Sequence, residues 1–286
     1  MKDANVQWHP GFIGAMNLEL KKNRDDLFFE KEYNLNTKPL EIDLLVIKKN
    51  TDVQIDNEIG RIFRGHNILE YKSPRDELDI DTFYKAAAYA SLYKSYGKTL
   101  DAVKADDVTV SLVRQAKPYG LFRYFRKHDY LVTNPYRGIY YIQEKVLLPT
   151  QIVVTKELMW EEHVWLGALS DSLEKQNLVE LLEEIERLRG KADRESAQSV
   201  LEVGLGANKQ IFEELIGDES MSEELLEILK PVLEPKIVLR EQQIRKEDIK
   251  VTVDVLREFG HQDCEIKTAL TKKYGLSEKE ADSFLQ

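Results

Sequence analysis

The sequence contains almost no cysteine, and this excludes several kinds of chemistry. Cys264 is the only cysteine among 286 residues, so the chain cannot form an internal disulfide or a zinc site built from several thiolates. No apolar run approaches the roughly 20 residues that cross a bilayer, and no membrane span is expected. The first residues, MKDANVQWHPGF, lack the basic patch and apolar segment of a secretory signal. These features predict a cytoplasmic protein.

The chain also lacks the excess of basic residues that is typical of proteins bound to nucleic acid. Its formal net charge is -10, whereas polyanions are bound by Lys and Arg side chains that displace counterions. Residues 1–155 contain 23 basic and 21 acidic side chains, and residues 156–286 contain 18 and 30. The first part is nearly neutral, and acids that bind a divalent cation would reverse the local charge. Residues 1–155 are therefore compatible with DNA as a partner.

Hydrophobic patterning divides the chain near residue 155. Before this point the apolar runs are short, rich in Ile, Val, Leu and Tyr, and separated by polar residues, Gly or Pro, as in β-strands. After it, apolar residues recur with the helical period. The clearest helical stripe consists of Leu178, Leu181, Leu182, Ile185 and Leu188. We expect an α/β (α+β) core in residues 1–155, with a central mixed sheet flanked by helices, and an all-helical region in residues 156–286.

The predicted elements of the first region follow the order helix, strand, strand, strand, helix, strand, with a last extended pair. The segments with assigned bounds are a helix at 11–26, two of the first three strands at 39–49 and 65–73, a helix at 79–97, a strand at 108–115, and extended segments at 138–145 and 150–156. Gly190 is predicted to end the first C-terminal helix, and residues 202–209 are predicted to form a turn. Later helices are predicted at about 208–216, 222–230, 240–259, 262–274 and 278–285, the last with a capping box from Ser277 and Glu280.

The segment LEYKSP, residues 69–74, gives the strongest functional signal. Successive side chains of a strand point to opposite faces, so Glu70 and Lys72 project the same way and Tyr71 projects the other way. Asp43 lies inside an apolar run of the preceding predicted strand, where a charge is costly unless it is paired or bound to metal. If these strands pair, Asp43 lies beside Glu70, and a hard cation such as Mg²⁺ would relieve their repulsion.

An Asp in one strand, followed by Glu-x-Lys in the next strand and then by a helix, resembles the PD-(D/E)XK nuclease superfamily. The stretch NEIGRIFRGHNILEYKSPRDELDIDTFYKAAAYASLYK, residues 57–94, is similar to its bacterial transposase-like, recombination-promoting nuclease group. The similarity extends over about residues 8–155 and implies a restriction-endonuclease-like core. It also implies Mg²⁺- or Mn²⁺-dependent hydrolysis of DNA phosphodiester bonds, linked to recombination or mobile elements.

The resemblance implies a role for each residue of the motif. Asp43 and Glu70 would bind the metal ion, and the backbone carbonyl of Tyr71 would be a further ligand. Lys72 would complete the catalytic set with Asp43 and Glu70. The Pro that usually precedes the Asp in this superfamily is replaced here by Ile42.

Further site residues are implied on two predicted helices. An acid on the first helix often joins the metal site in this superfamily, and Glu19 is the position that we choose, with Glu30 and Glu32 as nearby alternatives. Many exonuclease-like relatives carry Gln-x-x-x-Tyr on the helix after the motif. Lys85 and Tyr89 have this spacing, and we expect them to contact nucleic acid.

The segment RQAKPYGLFRYFRKHDYLVTNPYRG, residues 114–138, combines six Lys or Arg with several Tyr and Phe. This mixture is typical of surfaces that follow a phosphate backbone and stack on bases. The predicted DNA contacts in it are Arg123, Arg126 and Lys127. The alternative interpretation is an ordinary solvated hairpin, because aromatic residues at this density also pack within sheets.

Other interpretations of the same residues stay open. A same-face Glu and Lys on a strand can form an ordinary ion pair, and a catalytically inactive nuclease-fold protein would keep the sheet to bind DNA or protein. An RNA-directed enzyme of the same fold is a third interpretation. The leucine stripe at 178–188 is either helical core or a surface for a partner, including a second copy in a homodimer.

Overall fold

This computed structural model describes residues 6–35, 41–216 and 223–285. The chain has two compact units, and the first, Met1–Leu225, contains a seven-stranded mixed β-sheet. The strands are β1 (Leu27–Asn34), β2 (Glu41–Lys48), β3 (His66–Lys72), β4 (Val108–Arg114), β5 (Leu131–Tyr136), β6 (Ile139–Gln143) and β7 (Thr150–Val154). Their spatial order is β1-β2-β3-β4-β7-β6-β5. The central strands β3, β4 and β7 are parallel, and the outer pairs are antiparallel. The predicted α/β class with a mixed sheet is therefore confirmed.

The helices in the described part of the chain flank this sheet or follow it. They are α1 (Trp8–Glu19), α2 (Ile80–Ser95), α3 (Tyr119–Lys127), α4 (Val164–Gly167), α5 (Lys175–Arg187), α6 (Lys191–Ala207), α7 (Lys209–Ile216), α8 (Glu223–Glu258), α9 (Asp263–Tyr274) and α10 (Glu278–Leu285). After β7 the described residues form only helices, turns and connecting segments, which confirms the helical C-terminal region. Within the described ranges, no helix combines the length and the apolar character needed to span a membrane.

Helices α2 and α3 share one hydrophobic core with the central strands. The ring of Phe83 in α2 meets that of Phe125 in α3 edge to face, with centroids 5.0 Å apart. Both rings lie in the core that contains Ile68 of β3. The carboxylate of Asp79 caps α2 by accepting a hydrogen bond of 2.8 Å from the backbone N–H of Thr82. This cap fixes the first turn of α2, which follows the loop after β3.

Helix α1 packs closely on α6 through two glycines. A Cβ at Gly14 would lie 2.5 Å from the backbone oxygen of Ser196, and a Cβ at Gly11 would lie 2.6 Å from Cγ2 of Val203. This packing makes α6 part of the first compact unit. The boundary between the two units therefore lies between Leu225 and Leu226. The boundary that we predicted between residues 155 and 156 is not where the chain divides, because the change of hydrophobic period does not coincide with a gap in packing.

The second unit, residues 226–286, contains the C-terminal part of α8 with α9 and α10. Its core consists of Ile249, Val253, Ile266, Leu270 and Ala281. The capping box predicted at α10 is confirmed, since the N–H of Ser277 donates to Glu280 Oε2 at 2.8 Å and the N–H of Glu280 donates to Ser277 Oγ at 3.3 Å. The helices predicted at 222–230 and 240–259 form the single helix α8, whereas residue 222 lies outside the described residues.

Several local predictions differ from the structure. The helix predicted at 11–26 ends at Glu19 and is followed by a 3-10 helix and β1. The turn predicted at 202–209 is wrong, because Gly204 and Gly206 lie inside α6, where a Cβ at Gly204 would come within 3.2 Å of the Ala168 oxygen. Gly190 is the N-cap of α6, and α5 already ends at Arg187. Residues 114–138 contain α3 before the β5–β6 pair.

We predict that Gly14→Ala lowers the free energy of unfolding by about 1–3 kcal/mol, because the added methyl group would push α1 away from the backbone of α6. The matched control is Gly120→Ala in α3, where a Cβ meets nothing within 4 Å. Its effect should stay within about 1 kcal/mol. Denaturant unfolding of both variants measures this difference, and equal stability of the two would contradict the close packing of α1 on α6.

Candidate metal centre

The antiparallel pairing of β2 and β3 brings Asp43 next to Glu70. Leu44 lies opposite Leu69 in this ladder, so the next position along the two strands places Asp43 opposite Glu70. The backbone ladder ends at the Leu44–Leu69 pair. Beyond it, Asp43 Oδ2 accepts a hydrogen bond of 2.8 Å from the backbone N–H of Tyr71. The two carboxylates that the sequence placed on neighbouring strands therefore meet at one end of the strand pair.

The carboxylate of Glu70 is buried and only half satisfied. Its side chain is 7% exposed. Its Oε1 accepts a hydrogen bond of 2.8 Å from Lys72 Nζ, whereas Oε2 has no hydrogen-bond partner. Burial, followed by the negative charge of Asp43, raises the pKa of Glu70 above its usual value, and Lys72 opposes this shift. A buried carboxylate oxygen without a partner is destabilising unless a cation or a donor reaches it.

Lys72 lies at the rim of this cluster and keeps its charge. Burial lowers the pKa of Lys72, but the paired Glu70 and the charge of Asp43 raise it above the usual value. The Lys72 ammonium is therefore cationic at neutral pH. One more cation acts on the cluster, since the charge of Lys85 on α2 lowers the pKa of Glu70.

His9, in the first turn of α1, is a member of this cluster that sequence reasoning missed. Its Nε2 lies 3.5 Å from Asp43 Oδ1, and its side chain is half exposed. Its ring meets the ring of Tyr71 edge to face at 6.2 Å between centroids. The contact with Asp43 raises the pKa of His9, with burial opposing and the charge of Glu70 adding to the shift. The local sequence around His9 carries no signal for this contact, because it depends on how α1 packs against β3.

The Tyr71 side chain packs against α1. Its ring is buried and stacks on Phe12 with centroids 4.8 Å apart. Burial raises the pKa of its hydroxyl, which has no hydrogen-bond partner. The side chain is thus a packing element, and the backbone N–H orients Asp43. The role of its carbonyl as a metal ligand stays a prediction.

The structure does not bring Glu19 to this cluster. The carboxylate of Glu19 is buried, and it accepts hydrogen bonds from Asn57 Nδ2 at 2.9 Å and from the backbone N–H of Leu166 at 3.3 Å, and contacts His163 Nδ1 at 3.0 Å. Among the described residues, no three His, Cys, Asp or Glu side chains are grouped so that they could hold a metal ion. The prediction of Glu19 as a third acidic ligand is therefore corrected, because Glu19 is used within the fold. The alternatives Glu30 and Glu32 lie on the edge strand β1.

We predict that Glu19→Gln lowers the free energy of unfolding by about 1–3 kcal/mol, because it breaks a buried charged network. Burial lowers the pKa of His163, but its contacts with Glu19 and Glu58 together raise it above the usual 6.5. Because the pKa of His163 is raised in the folded protein, the stabilisation from the protonated His163 is fully present below pH 6.5. It is lost as the pH rises through the pKa of His163 in the folded protein. The stability difference between wild type and variant, measured by denaturant unfolding, should shrink with rising pH.

The same variant separates a structural role from metal binding. Calorimetric titration with Mn²⁺ should give the same affinity for Glu19→Gln as for the wild type. Loss of Mn²⁺ binding by Glu19→Gln without a change in stability would show that Glu19 is a metal ligand and would contradict its structural role.

The predicted nucleic-acid contacts fall into two groups. The prediction for Tyr89 is wrong, because this residue is 4% exposed and packs in the core between α2 and the sheet. Lys85 is exposed on α2, with its Nζ 5.3 Å from the centre of the Tyr89 ring. The side chains on α3 are also exposed, namely those of Arg123, Arg126 and Lys127. The cations are thus available to a polyanion, and contact with nucleic acid stays a prediction for them.

Comparison of the chain with family models, with curated proteins and with solved structures gives no match. The functional argument therefore depends on the side chains that the fold brings together. These are Asp43, Glu70, Lys72 and His9. Two carboxylates, one amine and one imidazole at the end of a strand pair are groups that can hold a divalent cation and a phosphate.

Proposed function

We propose that this chain is a metal-dependent nuclease that hydrolyses DNA phosphodiester bonds on a restriction-endonuclease-like core. The observation that carries the proposal is the buried Oε2 of Glu70, which has no partner and lies next to the Asp43 carboxylate. Mg²⁺ and Mn²⁺ prefer carboxylate and carbonyl oxygens as ligands. The resemblance of the Asp43 and Glu70-x-Lys72 pattern to PD-(D/E)XK nucleases supports the same function, and with it a link to recombination or mobile elements.

The residues present fit a divalent ion. Burial and, after it, the charge of Asp43 raise the pKa of Glu70, and the two carboxylates repel each other in the absence of a cation. Asp43 and Glu70 would hold the ion, with the carbonyl of Tyr71 as the proposed third ligand. The bound ion supplies electrophilic activation and charge neutralisation for phosphodiester hydrolysis.

The chain's own residues would position the substrate phosphate. Lys72 Nζ, already 2.8 Å from Glu70 Oε1, can donate a further hydrogen bond to a phosphate oxygen and stabilise charge that develops during displacement. The Tyr71 N–H and His9 hold the Asp43 carboxylate in one orientation. Lys85 places a second positive charge near the cluster, which favours the approach of a polyanion.

We predict that Asp43→Asn and Glu70→Gln each abolish Mg²⁺- or Mn²⁺-dependent nicking of plasmid DNA, because each removes a carboxylate ligand. Lys72→Met should lower the rate by about 100-fold or more, as expected when one donor to a developing charge is lost. Asp52→Asn is the matched control, since Asp52 is an exposed acid outside this cluster and its removal should leave nicking unchanged. Supercoiled plasmid with and without a chelator provides the assay.

Undiminished, chelator-sensitive nicking by purified Asp43→Asn and Glu70→Gln proteins would contradict the assignment. A second candidate function is a catalytically inactive nuclease-fold protein that binds DNA or another protein. It is favoured because Glu19, the acid predicted as a further ligand, is bound within the fold instead. No group of three His, Cys, Asp or Glu side chains among the described residues has the geometry to hold a metal ion. That protein would show neither nicking nor Mn²⁺ uptake by calorimetry, whereas the nuclease shows both.

A further inference from the structure

A cleft of about 450 Å³ lies between the first residues of α2 and the first residues of α3. Its walls are mainly aliphatic and aromatic, formed by Leu78, Ile80, Pro118, Tyr119, Leu121 and Tyr124. Its charged lining consists of two acids and two bases, namely Glu77, Asp79, Arg114 and Lys117. The cleft is therefore close to neutral, with flat apolar surfaces.

The cleft adjoins the proposed metal centre. Lys72 at the end of β3 lies directly opposite Arg114 at the end of β4 in their parallel ladder. Neighbouring strands are about 4.8 Å apart, so the Arg114 wall begins one strand spacing from Lys72. The chain that follows Lys72 runs along this wall, where Arg114 Nε donates to the carbonyl oxygen of Asp76 at 2.9 Å.

The chemistry of the cleft favours a flat, largely uncharged ring over a bare phosphate. Lys117 Nζ lies 3.3 Å from Glu157, and Glu77 and Asp79 outnumber the remaining base Arg114, so the cleft has no excess positive charge to bind a bare phosphate. Tyr119 is 71% exposed, so an aromatic side chain is available at the cleft. The neighbouring Tyr124 ring is fixed by stacking on His128 at 4.1 Å between centroids. Aromatic side chains of this kind bind nucleobases by stacking.

We propose that this cleft binds an unpaired nucleobase of the substrate strand, next to the phosphate that Lys72 would contact beside the metal ion. This inference rests on the proposed function and adds the form of the substrate. A base in a duplex is stacked on both faces, so it can enter the cleft only from a single strand or after leaving the stack. The exposed cations on α3, Arg123, Arg126 and Lys127, would contact the phosphates that continue from this nucleotide.

The test is fluorescence anisotropy of labelled 12-nucleotide DNA, single-stranded and duplex, with chelator present so that no cleavage occurs. Tyr119→Ala should weaken binding of the single strand by about 5- to 100-fold, as expected for the loss of one stacked base. Tyr119→Phe should bind as the wild type does, since the ring is kept. The matched control is Tyr96→Ala, because Tyr96 is also an exposed tyrosine, 45% exposed, and lies at the far end of α2.

A second measurement replaces one nucleotide of the single strand at a time by an abasic site. Its result separates base stacking on Tyr119 from a purely structural role of this residue. At one position the abasic site should weaken wild-type binding and leave Tyr119→Ala binding unchanged. Equal affinities of wild type and Tyr119→Ala, or duplex bound as tightly as single strand, would overturn the cleft assignment. If that occurs while the wild type still cuts DNA with Mg²⁺, only the cleft assignment fails. Absence of both cutting and binding overturns the proposed function as well.

Discussion

The burial of Glu70 beside Asp43 is the constraint on which the rest of the site depends. The β2–β3 register sets the two carboxylates opposite each other, and the core beneath α2 excludes water from Glu70. Lys72 satisfies one carboxylate oxygen and leaves the other without a partner. Such an arrangement costs stability in the free protein, and a fold retains it where a ligand repays that cost. A divalent cation is the simplest ligand that satisfies both acids.

Helix α1 connects this site to the rest of the first unit. Its first turn carries His9 to Asp43, and Gly14 in its middle allows the close approach of α6. Its last residue, Glu19, contacts His163, which lies just before α4. The orientation of Asp43 therefore depends on packing against helices that come from beyond residue 155. This explains why the chain does not divide where its hydrophobic period changes.

The part of the site carried by neighbouring strands could be predicted from the sequence, because the two-residue period of a strand fixes which side chains share a face. Asp43, Glu70 and Lys72 are placed in this way. His9 and Glu19 could not be placed, since their partners are distant in the chain and depend on the rotation of α1. The burial of Tyr89 can be predicted from the sequence, because Tyr89 lies on the same helical stripe as Ala86 and Tyr93. Helix α3 cannot be predicted from the sequence in this way, because its aromatic and basic residues are equally compatible with a hairpin.

The most direct test of the central claim is a crystal structure of the full chain grown with Mn²⁺, with diffraction collected at a wavelength where manganese scatters anomalously. The account predicts one strong anomalous peak within about 2.5 Å of Glu70 Oε2 and of a carboxylate oxygen of Asp43. A structure at saturating Mn²⁺ with no peak there, and with Glu70 paired only to Lys72, would contradict it.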